Sequence, residues 1–527
     1  MISRPKFLPS ACMPGMHSSL SGPETWIPLI ECPANFSEEL FDVAISQHIH
    51  HPEYNSTLIL RSETISDSNF ASRFSSTIPE LDNFQQSRCI HRKLLPRRPG
   101  RDASLEQYCT LYKATSSSPH TVLILTPIIY EKDHLPYYHP RVTHLAFRFL
   151  HPSPLHDTES DSGVLRIEVV PLPGTPLDQD SRLFRTCLAL LDTLHRYGWG
   201  ATTNYRKRVI HDVLIPREQY QDLYLVMRER HKGLVETWQE VTDPLKHVFE
   251  DIGIATYLML LWKITFGNEE IEEMDLTMGE PWKKWPRPPA GFIDIGCGNG
   301  LLTHILISEG YEGHGIDVRE RTSWKFYPQE TQEHLHINVF NALDFCSDSN
   351  PPPFFQPGVF VVANHADELT PWAPVLSTLC SASGYLSIPC CAWDFDTRYE
   401  RSATTMFPIL NRTPISNTSD TCTELGSKKS SLDDFIETLN LGGDGSNSSG
   451  YSMYRIWLAT LSVHTGWEME CETLRIPSTR NWAIIGRKRS SVLSQKEAMK
   501  NVEGIMQRVK ERAVFKPRKP EGKSDRH

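Results

Sequence analysis

The clearest chemistry in the sequence lies between residues 291 and 324, where two carboxylates bracket three glycines: Asp294, Gly296, Gly298, Gly300 and Asp317. Phe292, Ile293 and Ile295 form a short apolar run ahead of the glycines, and residues 301–308 follow with helical spacing. His314, Gly315, Ile316 and Asp317 then close a second short strand. Strand, glycine turn, helix and strand make half of a doubly wound nucleotide-binding sheet, whose ligands sit at the carboxyl ends of the strands. The spacing is Asp-x-Gly-x-Gly-x-Gly, not the G-x-G-x-x-G of a dinucleotide site. An acid before the turn repels a pyrophosphate and suits a ligand with a cationic amino group. Asp317 stands where a carboxylate accepts hydrogen bonds from ribose hydroxyls. An amino acid joined to a ribose describes S-adenosylmethionine. A glycine turn after a strand can be no more than a turn; the full set points to a methyl-donor site and disfavours a dinucleotide oxidoreductase.

Such a donor needs positioning and, at the acceptor, removal of a proton. The pattern of strands continues through residues 336–339, 359–363 and 385–391, so Asn341 or Asp344 falls where the adenine edge is read. The fourth strand ends in Asn364, His365, Asp367 and Glu368, which face the acceptor. Acids there also suit the start of a helix, where they favour its dipole. His365 is a candidate base, weighed against a structural role. Cys390 and Cys391 admit a nucleophile reading, but adjacent strand-end cysteines more often belong to a core.

The elements that must position these groups occupy 527 residues with 39% hydrophobic and 22% charged content, enough apolar mass for two or three folded units. The formal charge of −10 excludes bulk attraction to polyanions, so any nucleic-acid surface must be a local basic cluster. One such cluster is residues 91–101, where Arg92, Lys93, Arg97, Arg98 and Arg101 accompany His91 in an extended, proline-containing stretch. It reads either as a solvated loop or as a phosphate-contacting arm. Arg206, Lys207 and Arg208 form a second. No apolar run reaches membrane length, no secretory signal opens the chain, and the 12 cysteines lack paired C-x-x-C spacing; a cytoplasmic protein with reduced thiols and no metal is expected. The organisation expected is a poorly ordered region 1–89 with a short helix and strand and an α+β domain 90–280. A proline-rich linker then leads into a Rossmann-like α/β domain 281–489 with a mobile insertion at 411–450. A basic helix and tail complete the chain at 490–527.

Several stretches together resemble a known family. They are residues 92–102, Pro136-Tyr137-Tyr138-His139-Pro140, residues 242–244 with 248–252, the glycine turn 294–302, and 315–319 with Ser323 and Trp324. The set continues in Asn364 to Trp372, Ile388 to Cys391 and Leu474 to Arg480. They are similar to the eukaryotic tRNA (uracil-2′-O-)-methyltransferases. The resemblance covers about residues 90–489 and implies 2′-O-methylation of uridine 44 in serine tRNA, with S-adenosylmethionine as donor. It implies a base or an alkoxide-stabilising cation. The lysine-centred tetrad of many ribose methyltransferases has no match at the fourth strand; Lys325, Arg319, Arg321 and Glu368 are possible substitutes. The other readings are a methyltransferase for another RNA or a protein, and a tRNA-binding protein with a vestigial pocket.

Overall fold

The structure, a computed structural model, describes all residues except 1–3, 70–76, 115–120, 130–134, 152–162, 204–208, 268–278, 340–353, 402–406, 408–431, 443–448 and 513–527. The chain divides into two compact units, 1–206 and 207–527.

The first unit is an antiparallel sheet with two helices. Its elements are β1 (Ser10–Ala11), β2 (Ile27–Pro33), α1 (Phe41–His50), β3 (Ile59–Ser68), β4 (Phe84–Pro96), β5 (Leu105–Ala114), β6 (Val122–Pro127), β7 (Val142–Leu150), β8 (Val164–Pro171) and α2 (Arg182–Thr202). The strand order is β1-β2-β8-β7-β6-β5-β4-β3. Ser181 caps α2 by accepting from the Phe184 N–H at 3.1 Å, as residues 181–197 lead one to expect. Leu183, Cys187, Leu191 and Leu194 of α2 share one core with Phe41, Ala44 and Ile45 of α1 and Leu123, Phe147 and Ile167 of the sheet.

The described residues of region 1–89 are therefore built into a sheet and its covering helix, not left as a poorly ordered segment, and the expected boundary at 89/90 falls inside β4. The polar composition of residues 62–68 misleads because β3 is an edge strand whose outer half is exposed.

The second unit is the doubly wound sheet. Its elements are α3 (Arg217–His231), α4 (Pro244–Phe266), β9 (Phe292–Ile295), α5 (Leu301–Ser308), β10 (Gly313–Asp317), α6 (Gln329–Gln332), β11 (Leu335–Ile337), β12 (Phe360–Asn364) and α7 (Trp372–Leu379). These are followed by β13 (Gly384–Ile388), the small hairpin β14 (Trp393–Asp394) and β15 (Thr397–Arg398), α8 (Leu432–Thr438), α9 (Gly450–His464), β16 (Trp467–Thr473), β17 (Trp482–Arg489) and α10 (Gln495–Arg512). The order is β11-β10-β9-β12-β13-β17-β16; β17 alone runs antiparallel to the rest, and β16, antiparallel to β17, shares the direction of the first five. α3, α4 and α5 pack on one face, and α7, α9 and α10 on the other. The Rossmann-like expectation holds.

Two boundaries need correction. Residues 281–289 do not separate domains: Trp282 is buried and donates its indole N–H to Glu309 Oε2 at 2.8 Å, so the segment and helices α3 and α4 belong to this unit. The expected C-terminal helix is present as α10, and it belongs to this unit instead of forming a region of its own, because Ala498, Val502, Ile505, Met506 and Val509 are buried along one face. Most of the insertion at 411–450 lies outside the described residues. No helix among the described residues is long and apolar enough to cross a membrane.

Candidate active site

The donor end of the sheet is built by β9 and β10. These strands pair in parallel, with Ile295 opposite Ile316, so the glycine turn and Asp317 emerge side by side. The turn doubles back onto its neighbour: the N–H groups of Gly296 and Cys297 both donate to the Ile316 carbonyl, at 2.8 and 3.0 Å. Gly296, Gly298 and Gly300 all have positive φ, of 72°, 55° and 75°. A side chain at Gly300 would also meet Leu335 at 2.9 Å, whereas one at Gly298 would enter open space, where a ligand can approach the backbone. The Gly298 N–H donates to Asp317 Oδ2 at 2.9 Å, and Trp324 braces the turn by donating its indole N–H to the Gly298 carbonyl at 2.9 Å. Asp317 Oδ1 accepts from the Arg319 N–H at 3.3 Å, and each oxygen keeps acceptor capacity for a ribose hydroxyl.

Asp294 is the unusual group. Its side chain is 1% exposed; Oδ2 accepts from the Thr303 hydroxyl at 3.1 Å, and Oδ1 has no partner among the described residues. Burial, opposed by Thr303 and assisted by the Asp317 charge, pushes its carboxyl up to about 7. A buried acceptor aimed at a ligand turn, with no cation of its own, fits the ammonium group of an amino-acid ligand. Asn341 and Asp344 lie outside the described residues. Asn364, at the end of β12, donates through Nδ2 to Asp251 Oδ1 at 3.3 Å, while its buried Oδ1 has no partner among the described residues.

The acceptor end lies one strand over, since β12 pairs directly with β9. The chain leaves β12 through two left-handed residues, His365 (φ 51°) and Asp367 (φ 45°). Such backbone in non-glycine residues is costly and clusters at functional sites. His365 Nε2 meets Glu250 Oε1 at 3.2 Å. Burial would raise the Glu250 carboxyl, but hydrogen bonds from His365 and Ser478, with His247 nearby, hold it below its ordinary value. A carboxylate accepting there places the imidazole proton on Nε2 and leaves Nδ1, buried and without a partner among the described residues, as the acceptor nitrogen. Asp251, beside Glu250 on α4, is pushed well above its usual range by burial and by the Glu250 and Asp294 charges.

Asp367 accepts from the Cys390 thiol at 3.2 Å, and burial together with that carboxylate pushes Cys390 up to about 12; a thiolate nucleophile is therefore disfavoured at neutral pH. Glu368 shares the short 3₁₀ turn with Asp367. Lys325 is on the turn after β10, at the donor end; its side chain is 70% exposed and it reaches Glu320 at 3.9 Å. It is not brought to the end of β12.

Glu250 and Asp251 escape a reading of strand ends because they lie within helix α4, far from the glycine turn in sequence. The available signal was two adjacent acids inside a helix with 13 buried residues. Glu309 is also a buried carboxylate, but it is structural: Arg230, His231 and Trp282 all donate to it at 2.7–2.8 Å.

In the first unit the basic block splits by strand parity. Arg92 points inward with Ile90 and Leu94 and is 3% exposed. Its guanidinium donates to Gln107 Oε1 and to the carbonyls of His48 and Ile49, so it is not part of an exposed basic arm. Lys93 lies half-buried on the opposite face of β4, and Arg97, Arg98 and Arg101 are exposed around the β4–β5 turn. Arg206, Lys207 and Arg208 lie outside the described residues.

Comparison with known proteins gives this geometry its family. Residues 7–208 match a model described as "TRM44-like, N-terminal bet v1-like domain", and residues 214–283 and 280–342 match one described as "Predicted AdoMet-dependent methyltransferase". A tRNA (uracil-O(2)-)-methyltransferase of Schizosaccharomyces pombe is 32% identical over 90% of this chain and 88% of its own. Relatives of the same name from Neurospora crassa and Saccharomyces cerevisiae are 30% and 29% identical, covering 93% and 89% of this chain and 93% and 88% of their own. No solved structure matches. The donor these matches imply is S-adenosylmethionine, which the orphaned Asp294 oxygen and the open glycine turn fit, and the chain belongs to the tRNA (uracil-O(2)-)-methyltransferase family of methyltransferases.

Proposed function

We propose that the protein methylates the ribose 2′-hydroxyl of a uridine in tRNA, specifically uridine 44 of serine tRNA, in the cytoplasm. The observation that carries the reading is the pairing, on adjacent strands β9 and β12, of a donor cradle with an oriented imidazole. S-adenosylmethionine supplies an electrophilic methyl group on a sulfonium that departs as a neutral thioether. Asp294 holds the ligand's ammonium, and Asp317 orients its ribose. Asn364 Oδ1 offers a further acceptor. His365 Nδ1 takes the 2′-hydroxyl proton as the oxygen bonds to the methyl carbon, and Glu250 fixes the imidazole and stabilises the imidazolium. Asp367 and Glu368 line the acceptor side, while Lys93, Arg97, Arg98 and Arg101 supply phosphate contacts. The test is transfer of labelled methyl from donor to a panel of unmodified tRNA transcripts. Transfer to serine tRNA alone supports the reading; transfer to all tRNAs equally, or to protein, contradicts it.

A further inference from the structure

The first unit holds a cavity of about 430 Å³ between α1, α2 and the inner face of the sheet, remote in sequence from every donor residue. Its volume falls within the roughly 300–1,000 Å³ of small-ligand sites. The lining is one-sided in charge. Arg92, Arg182 and Arg185 face it, and among the described residues no aspartate or glutamate does, although acids outnumber bases in the chain by 64 to 54. The nearby Glu53 is engaged with His51, at 3.3 Å.

Arg92 is the key residue. It is buried, yet among the described residues its partners are a carboxamide and two carbonyls, all neutral. A buried cation without an anion is costly unless a ligand supplies the counter-charge. Its position is over-determined: Gln107 accepts from Arg92 and donates through Nε2 to His139 Nε2 at 2.9 Å, and His139 Nδ1 donates to the Pro140 carbonyl at 2.8 Å. On the other side, His48 is 2% exposed; its Nδ1 accepts from Asn55 Nδ2 at 2.8 Å, so its proton sits on Nε2, which has no partner in hydrogen-bond geometry among the described residues. At the mouth, the Arg182 guanidinium stacks 3.7 Å from the centre of the Tyr137 ring, and Tyr137 is otherwise 68% exposed. Guanidiniums for a phosphate, neutral donors behind them and an exposed aromatic face for a base are the parts of a nucleotide site.

We propose that this cavity binds a phosphorylated nucleoside, with the phosphate held by Arg92, Arg182 and Arg185 and the base against Tyr137. Two sources share that chemistry: a nucleotide of the RNA substrate and a free mononucleotide. The site stands apart from the methyl-transfer reading, because it uses none of the donor or acceptor residues. It also accounts for two of the sequence stretches, around Arg92 and around Tyr137–Pro140, that the transfer chemistry leaves unused.

The experiment titrates uridine 5′-monophosphate into the full chain with S-adenosylhomocysteine saturating, so that the sheet end is occupied. Saturable binding is expected, weakened at least about ten-fold when uridine replaces the monophosphate and at least about ten-fold in Arg182→Glu/Arg185→Glu, whose side chains lie at the mouth. Ala189→Trp, also at the mouth, should block it sterically. An unchanged circular dichroism spectrum and unchanged melting of the first unit certify that each variant is folded. Displacement of the monophosphate by tRNA assigns the site to the RNA's nucleotide; simultaneous binding assigns it to a free one. Absence of saturable binding, or affinity unchanged in the charge-reversed variant, overturns the proposal.

Discussion

Replacing Asp294 with asparagine should move stability and donor affinity in opposite directions. The carboxyl is 1% exposed, has one unpartnered oxygen and is pushed up to about 7 by its burial. An unfolded aspartate ionises near pH 4. The folded protein thus holds a proton that the unfolded chain has released, and the donor-free protein loses stability as pH rises from about 4 to about 7. The loss totals on the order of 4 kcal/mol at about 1.4 kcal/mol per pH unit. Asparagine has no such charge to bury. At pH 8 the donor-free Asp294→Asn protein should melt above wild type, by up to about that free energy, and the gain should vanish towards pH 4. The donor's ammonium needs the carboxylate, so removing it costs roughly 2–5 kcal/mol, or about 30-fold to several-thousand-fold in affinity. Wild-type affinity should climb with pH until about 7 and then level; the variant's should stay flat. Thermal melts and calorimetric titration of S-adenosylhomocysteine between pH 5 and 9 read both quantities. A variant that is less stable at pH 8 and binds as tightly as wild type would refute the reasoning.

Three further outcomes follow from the same geometry. His365→Ala should lower kcat by roughly 10²–10⁴ with donor affinity unchanged, Glu250→Gln should lower it less, and added imidazole should restore part of the first loss in single-turnover assays. Arg97→Ala with Arg98→Ala should weaken tRNA binding and lower its salt slope by roughly one per lost phosphate contact; an unchanged slope returns those residues to a solvated turn. Glu309→Ala should cost about 3–5 kcal/mol in urea denaturation by leaving Arg230 and His231 beside a void. Burial alone would raise that carboxyl, but its three donors hold it below its ordinary value, so wild-type stability from this group is present at neutral pH and lost as pH falls below the usual glutamate range.

The donor half of the site was legible in the sequence because it is local. Asp294, the three glycines and Asp317 lie within 24 residues, and their spacing dictates strand, turn, helix and strand. The acceptor half is not local: His365 acquires its meaning from Glu250, 115 positions earlier on α4, and no periodicity links them. The first unit hid for a related reason. Its edge strand β3 is polar where it faces solvent, so a strand resembled a loop. Within β4, charge alone grouped Arg92 with its neighbours, whereas the two-residue repeat with Ile90 and Leu94 assigns it to the inner face. Arginines sharing one basic run thus divide between a buried network and an exposed turn.

The most direct measurement of the account as a whole uses serine tRNA transcripts that differ at one atom. Each is incubated with the protein and S-adenosylmethionine, digested with nucleases and mapped by mass spectrometry. The account predicts one added methyl group, on the ribose of uridine 44, in the ordinary transcript, and none in a transcript carrying 2′-deoxyuridine there. A methyl group on the base, or one that persists in the deoxy transcript, would contradict it.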